Sequence, residues 1–250
     1  MAVEAIIKAV ELEPASAAEM DTYPLNIPAL RGLRSLPLDP GVTLLVGENG
    51  SGKSTLVEAI AVAAGLNAEG GSANFNFATH PHTPELARHL RLVRGSRRPR
   101  GAFFLRAESF FNVVSEIERL DSEPGPGAMV IDGYGGSSLH QRSHGEAFLT
   151  LALHRFHGGG LYILDEPEAA LSPQGCITLL LRIHQLVTER AQFIIATHSP
   201  ILMAFPGATI HLLTEAGARQ ARYQDLDHVS LTRDFLANPD SFLRHLLDPP

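Results

Sequence analysis

The chain has 250 residues, 44% of them hydrophobic and 19% charged, with a formal net charge of −7. These totals fit a globular protein long enough to bury a core, and they exclude a disordered chain and one drawn as a whole to nucleic acid by its charge. Apolar runs too short for a membrane helix, acids within the opening "MAVEAIIKAVELEP" and a single cysteine, Cys176, point away from a membrane span, a cleaved secretion signal and an internal disulfide, and toward the cytoplasm.

Taken in chain order, the first predicted element is the β-branched apolar run Val42 to Val46, which reads as a buried strand, followed by a helix from Ser54 to Ala64. Residues 65 to 84 are rich in glycine, asparagine and proline and read as a loop. Thr83 or Pro84 can open a helix reaching about Val93, and "GAFFLRAES" is the next strand, with helical "FFNVVSEIERL" behind it. A glycine-rich connection over 121 to 143 ends in Ser143, a candidate N-cap for a helix from Gly145 to about His157. "LYILD" at 161 to 165 and "QFIIAT" at 192 to 197 are buried strands, separated by a helix from Gln174 to Arg190. "ATIHLL" at 208 to 213 is a further strand, and a hairpin and helical tail with a break at Pro239 occupies 214 to 250. Strands alternating with helices predict an α/β fold with a mainly parallel sheet covered on both faces, as one domain of 1 to 250 with a core over about 40 to 213 and an excursion over about 65 to 143.

The stretch "GENGSGKST" carries the first chemistry. Gly47, Gly52, Lys53 and Ser54 fit the phosphate-loop pattern, set between a strand and a helix. Glycines let successive backbone N–H groups turn toward phosphate oxygens, and the helix N-terminus adds positive potential. Lys53 is one of only two lysines and supplies a mobile charge to the β- and γ-phosphates, and Ser54 a hydroxyl to Mg²⁺. Glu48, Asn49, Gly50, Ser51 and Thr55 complete the expected cradle.

Asp165 and Glu166 end the strand "LYILD", at the sheet edge where open α/β folds bind ligands. Asp165 is placed to hold Mg²⁺, and Glu166, pointing to the other side of the chain, to reach a water attacking the γ-phosphate. His198 follows the neighbouring strand and should emerge at the same edge, where an imidazole can donate to the γ-phosphate or orient the water. The segment "RHLRLVRGSRRPR", 88 to 100, holds six of the twenty basic residues, all arginine. It reads either as a solvated helix end and loop or as a phosphate-contacting patch.

Together these residues resemble the ATP-binding cassette (ABC) superfamily of P-loop ATPases. "GENGSGKST" resembles its Walker A loop, "LYILDEPEAALS" its Walker B strand and D-loop, "THS" its switch-histidine loop, and "RSHGE" at 142 to 146 its "LSGGQ" signature. The resemblance implies ATP and Mg²⁺ as cofactors, and two copies stacked head to tail on ATP binding. Each nucleotide would then lie between the Walker A loop of one copy and Ser143 and Gly145 of the other, with Glu166 as general base and His198 as γ-phosphate sensor. This chain departs from the family pattern in several places. His144 and Glu146 replace glycine and glutamine of the signature, and Ser172 stands at the D-loop aspartate. Arg106 and Glu108 stand where a Q-loop glutamine is expected, and Tyr23 is a candidate to stack on adenine.

The acid after the signature glycine looks more like soluble AAA/ABC-type ATPases akin to the SMC and RecF branch than like transporter cassettes. Only ninety residues separate Lys53 from Ser143, so no coiled-coil arm fits between them. The first expectation is a soluble ATPase acting on a partner, with nucleic acid reached through Arg88 to Arg100. The alternatives are the ATP-binding subunit of a membrane transporter, with a membrane subunit as partner, and a nucleotide switch that does not hydrolyse. A P-loop kinase would leave Ser143, Gly145 and His198 without a shared role.

Overall fold

The computed structural model describes residues 4–13, 16–71, 85–110, 112, 114, 115, 119 and 143–247. Its main sheet has six strands in the order β5-β6-β7-β3-β8-β9: β3 Val42–Gly47, β5 Ala102–Arg106, β6 Leu161–Asp165, β7 Gln192–Ala196, β8 Thr209–Thr214 and β9 Gly217–Ala221. The first five run parallel and β9 closes the edge as an antiparallel hairpin with β8. β3, β6 and β7 are buried at every position, as apolar strands covered on both faces must be. Their alternation divides the core: Val42, Leu44, Val46, Tyr162, Leu164, Phe193 and Ile195 face one layer, while Leu45, Leu161, Ile163, Ile194 and Ala196 face the other.

Helix α1, Lys53–Ala63, buries Leu56, Val57, Ala59 and Ile60 on the second face, beneath a three-stranded antiparallel sheet. That sheet has the order β2-β1-β4, with β1 Ile7–Leu12, β2 Ser35–Pro37 and β4 Leu90–Arg94. Helices α2, His144–Arg155, and α3, Pro173–Thr188, cover the first face with Phe148, Leu151, Leu179 and Ile183. The tail forms α4, Asp227–Ala237, and α5, Pro239–Leu247, with the break at Pro239 that the sequence predicts.

The helix expected over 84 to 93 is absent. Glu85–His89 forms a 3-10 turn and the chain then enters β4. Leu92 pairs with Val10 and Leu90 with Leu12, so partners far away in the chain decide the conformation and override local helical propensity. The two sheets are joined by Gln192, which is fully buried. Its amide nitrogen donates to the Ile7 and Asp39 carbonyls at 2.8 Å each, and its oxygen accepts from the Ile6 and Ile7 N–H groups at 2.9 Å each. With every donor and acceptor used, this amide fixes β1 against the main sheet, and its hydrogen bonds offset the cost of taking it out of water.

The helix read over "FFNVVSEIERL" is described only at Phe110, Asn112, Val114, Ser115 and Arg119, which are helical. Most of the loop of 65 to 84, and the connection of 121 to 143 apart from Ser143 itself, lie outside the described residues. Among the described residues no helix is long and apolar enough to cross a membrane.

Candidate nucleotide site

The parallel register sets Arg106 beside Asp165 and Asp165 beside Ala196, so β5, β6, β7 and β3 all end at one edge. The loop after β3 is shaped by its glycines. A Cβ on Gly47 would lie 2.4 Å from the Leu213 carbonyl oxygen, and one on Gly52, where φ is +94°, would lie 2.8 Å from Ile27 Cγ2. No side chain caps the N-terminus of α1, which leaves its first amides free for an anion. Lys53 is buried at the start of this helix, and its Nζ donates to the Gly47 and Glu48 carbonyls at 2.9 Å each. Burial pushes its pKa down, against the opposing pull of Glu166, Asp165, Glu48 and Glu168.

A cavity of about 210 Å³ opens above the loop, lined by Asn49, Gly50, Gly52, Lys53, Ser54, Thr55 and Glu166 with Ile27 and Tyr23. The structure thus brings most of the expected cradle together with Glu166. Tyr23 is 66% exposed and is no core residue. Its hydroxyl lies 3.3 Å from Thr55 Oγ1, which puts the ring at the mouth of the cavity. Glu48, Asn49, Gly50 and Ser51 also border a second cavity of about 580 Å³ on the loop's other side, which His228 and Asp227 help to line.

Asp165 is 3% exposed. Burial raises its pKa to about 6, with Arg106 and the Ser54 hydroxyl acting in the opposite direction. Its Oδ1 has no hydrogen-bond partner among the described residues. A buried carboxylate oxygen without a partner, beside a serine hydroxyl, fits a hard divalent cation with oxygen ligands. Glu166 adopts the left-handed conformation, φ 46° and ψ 52°, which costs a residue with a side chain about 1 kcal/mol or more. That turn places its Oε1 3.2 Å from His198 Nε2. Burial and then Lys53 push the His198 pKa below its ordinary value, outweighing Glu166 and Glu168, so the imidazole is neutral near pH 7.

Sequence reasoning missed two contributors, Glu168 and His228, and gave a third, Arg106, no role. Glu168 holds the histidine loop: its Oε1 accepts from Thr197 Oγ1 at 2.8 Å, from Ser199 N at 3.0 Å and from the His198 N–H. Its place within "DEPEAALS" was the available signal. His228, from the first turn of α4, lies 5.6 Å from His198 between ring centroids and 3.7 Å from Glu48 Oε1. Only the fold of the tail reveals it. Arg106 was noticed as a departure, and its Nε is 3.2 Å from Asp165 Oδ2.

Ser143 and Gly145 do not line the cavity of their own chain. Ser143 is exposed and caps α2 through a capping box: its hydroxyl donates to Glu146 Oε2 at 2.7 Å, and its N–H reaches the same oxygen at 3.1 Å. A Cβ on Gly145 would meet the Ala170 carbonyl oxygen at 2.9 Å, so this helix start packs against the segment following Glu166. Ser172 caps α3 by accepting from the Gly175 N–H at 3.1 Å.

Fold and site together define an α/β protein with a P-loop at its strand ends and the architecture of ABC-type ATPase heads. Residues 26–105 match the family described as "AAA domain", and residues 146–204 match "AAA domain, putative AbiEii toxin, Type IV TA system". Among solved structures, the chain is similar to "An inward-facing conformation of a putative metal-chelate type ABC transporter", with 17% identity, a TM-score of 0.50, and coverage of 78% of this chain and 77% of that one. It is also similar to the SMC head domain from Thermotoga maritima, with 14% identity, a TM-score of 0.47, and 86% and 98% covered. A third is cbiO1 from Clostridium perfringens, part of the ABC transporter complex cbiONQ, with 16% identity, a TM-score of 0.47, and 98% and 99% covered. No curated protein matches the chain.

Proposed function

We propose that this chain binds ATP with Mg²⁺ and hydrolyses it, and that two copies sandwich two ATP molecules head to tail to drive a conformational change in a partner. The observation that carries the reading is Glu166. A carboxylate held in a left-handed turn borders the phosphate-loop cavity and lies 3.2 Å from a neutral histidine. Backbone strain at such a residue is retained where the surroundings demand that side-chain position.

In this reading the loop amides and Lys53 grip the β- and γ-phosphates, and Ser54 and Asp165 hold Mg²⁺, which supplies positive charge to the phosphate oxygens. Glu166 takes a proton from the attacking water, and His198, whose Nε2 lies 3.2 Å from Glu166 Oε1 without a formed hydrogen bond, turns to contact the γ-phosphate. The exposed start of α2 would complete the site of a second copy through Ser143 and Gly145. Sizing Glu166→Gln by light scattering tests the dimer: a shift from monomer to dimer with Mg-ATP supports it, and monomer throughout overturns it.

For the partner we propose nucleic acid. Arg98, Arg100 and Arg190 border a cavity of about 450 Å³, and their guanidinium groups make no hydrogen bond or ion pair among the described residues. The cavity sits by Gly159 and Arg190, just before β6 and β7, at the sheet edge opposite the phosphate loop. Arg97 is already engaged, donating to the Glu4 and Arg190 carbonyls. ATPase stimulation by single- and double-stranded DNA across a salt series tests this: loss of stimulation in Arg98→Ala/Arg100→Ala supports it, and no stimulation of the unaltered protein removes it.

A further inference from the structure

The unusual residue at this site is Arg106. It ends β5 directly opposite Asp165 in the parallel register, and it is three-quarters buried. Its guanidinium faces three carboxylates: Glu58 Oε2 at 3.0 Å, Asp165 Oδ2 at 3.2 Å and Glu108 Oε2 at 3.6 Å. These contacts differ in kind. The bond to Glu58 is a well-formed hydrogen bond from Nη1. The approach of Nε to Asp165 is close, yet Nε makes no hydrogen bond, because the N–H is not aimed at the oxygen. Arg106 is therefore anchored to α1 through Glu58 and lends only its charge to Asp165.

We propose that Arg106 is a built-in counter-ion for the metal carboxylate, neutralising Asp165 in the metal-free site and competing with Mg²⁺ for it. The proposal rests on the reading above in which Ser54 and Asp165 hold the cation. A neutral glutamine at the end of β5 could not compete in this way, because it carries no charge to place against a carboxylate. A guanidinium can, and its weakly aligned contact with Asp165 is the one that yields first. Glu58 keeps hold of the arginine when Asp165 turns to the metal, and exposed Glu108, 3.6 Å away, is ready to take up the released charge. The consequence is a raised Mg²⁺ threshold. The free head holds divalent cations poorly, and productive metal loading depends on the triphosphate adding its own oxygens as ligands.

The test uses Mn²⁺ as a spin-active stand-in, titrated by electron paramagnetic resonance into the full chain with and without ATP. Without nucleotide, Arg106→Gln should bind Mn²⁺ about tenfold more tightly than the unaltered protein, the size expected for removing one competing charged contact. Arg106→Lys keeps the charge on a single donor that cannot hold Glu58 and face Asp165 at once, and should fall between the two. It also serves if Arg106→Gln does not fold. With ATP present the three isotherms should draw together. Coincident isotherms without nucleotide, or weaker Mn²⁺ binding by Arg106→Gln, would overturn the proposal. If ATP alters none of the isotherms and does not bind, the nucleotide reading fails, while the nucleotide-free titration still decides the role of Arg106.

Discussion

Two helix N-termini of this molecule meet the same electrostatic problem and solve it in opposite ways. α1 opens at Gly52 with no side-chain cap, so its amides face the phosphate-loop cavity with their hydrogen bonds free. α2 opens at Ser143 with a full capping box, and Glu146 sits across the end of the helix. An open end with a lysine is a preformed anion site. A capped end with a carboxylate is stable alone, and the acid repels an incoming phosphate. The lesson is that the first half of the proposed sandwich stands ready in one chain, while the second must exchange an internal contact for one to a neighbouring copy.

The largest effect should come from the open end. Lys53→Ala should weaken binding of a fluorescent ATP analogue by about a hundredfold or more, since a charged donor to phosphate is lost from a partly desolvated site. An affinity within a few-fold of the unaltered protein would mean that the amides alone hold the ligand. Next, Glu166→Gln should cut steady-state phosphate release by about a hundredfold, within the range for a lost general base, while leaving analogue affinity within about threefold. Equal turnover would move the base elsewhere, and Glu168 would be a poor substitute, because its Oε1 already accepts three hydrogen bonds.

At the capped end, the two substitutions should act in opposite directions. In the Glu166→Gln background, Ser143→Arg should abolish the Mg-ATP-dependent dimer in light scattering and leave analogue affinity of the single chain unchanged. Glu146→Gln should do the reverse, lowering the dimer dissociation constant by about two- to fivefold, as expected for removing one acid from a helix N-terminus that meets an anion. If Glu146→Gln weakens the dimer instead, the capping box serves the interface, and the contrast between the two helix ends collapses.

Both helix ends were legible in the sequence, the second through Ser143 as its N-cap, while the reciprocal contact of Glu146 emerges only from the structure. The phosphate loop follows from local pattern: three glycines, a lysine and a serine between an apolar strand and an apolar helix need little tertiary help to be recognised. Asp165, Glu166 and His198 followed because buried parallel strands read as continuous apolar runs whose ends share an edge. β4 was misread as helix because its conformation is set by pairing with Val10 and Leu12, eighty residues away. His228 was invisible for a related reason. Nothing in "LDHVSL" marks a histidine that tertiary packing carries to His198, with Leu226 and Val229 buried on either side of it as the anchors of that turn.

The smallest predicted effect sets the conditions for the Glu146 experiment. Protonating a carboxylate with acid is the alternative to replacing it with glutamine, and that route is open only while the fold tolerates low pH. His211 is one group that opposes acid. It is buried in β8, with Nε2 2.8 Å from the Pro37 carbonyl oxygen of β2, so it ties the main sheet to the antiparallel one. Burial pushes its pKa below the ordinary value of 6.5, only partly opposed by the Pro37 carbonyl. A histidine depressed in the folded state favours the neutral form, so its contribution is fully present above about 6.5 and is lost as pH falls through the interval below it. His211→Gln keeps a donor near Pro37 but cannot charge. Its melting temperature should therefore fall less than that of the unaltered protein between pH 7.5 and 5.5, with the gap between the two proteins narrowing by about 2–4 °C, equivalent to roughly 1 kcal/mol for a chain of this size. A gap that stays constant or widens on acidification would show that His211 does not weaken the fold in acid.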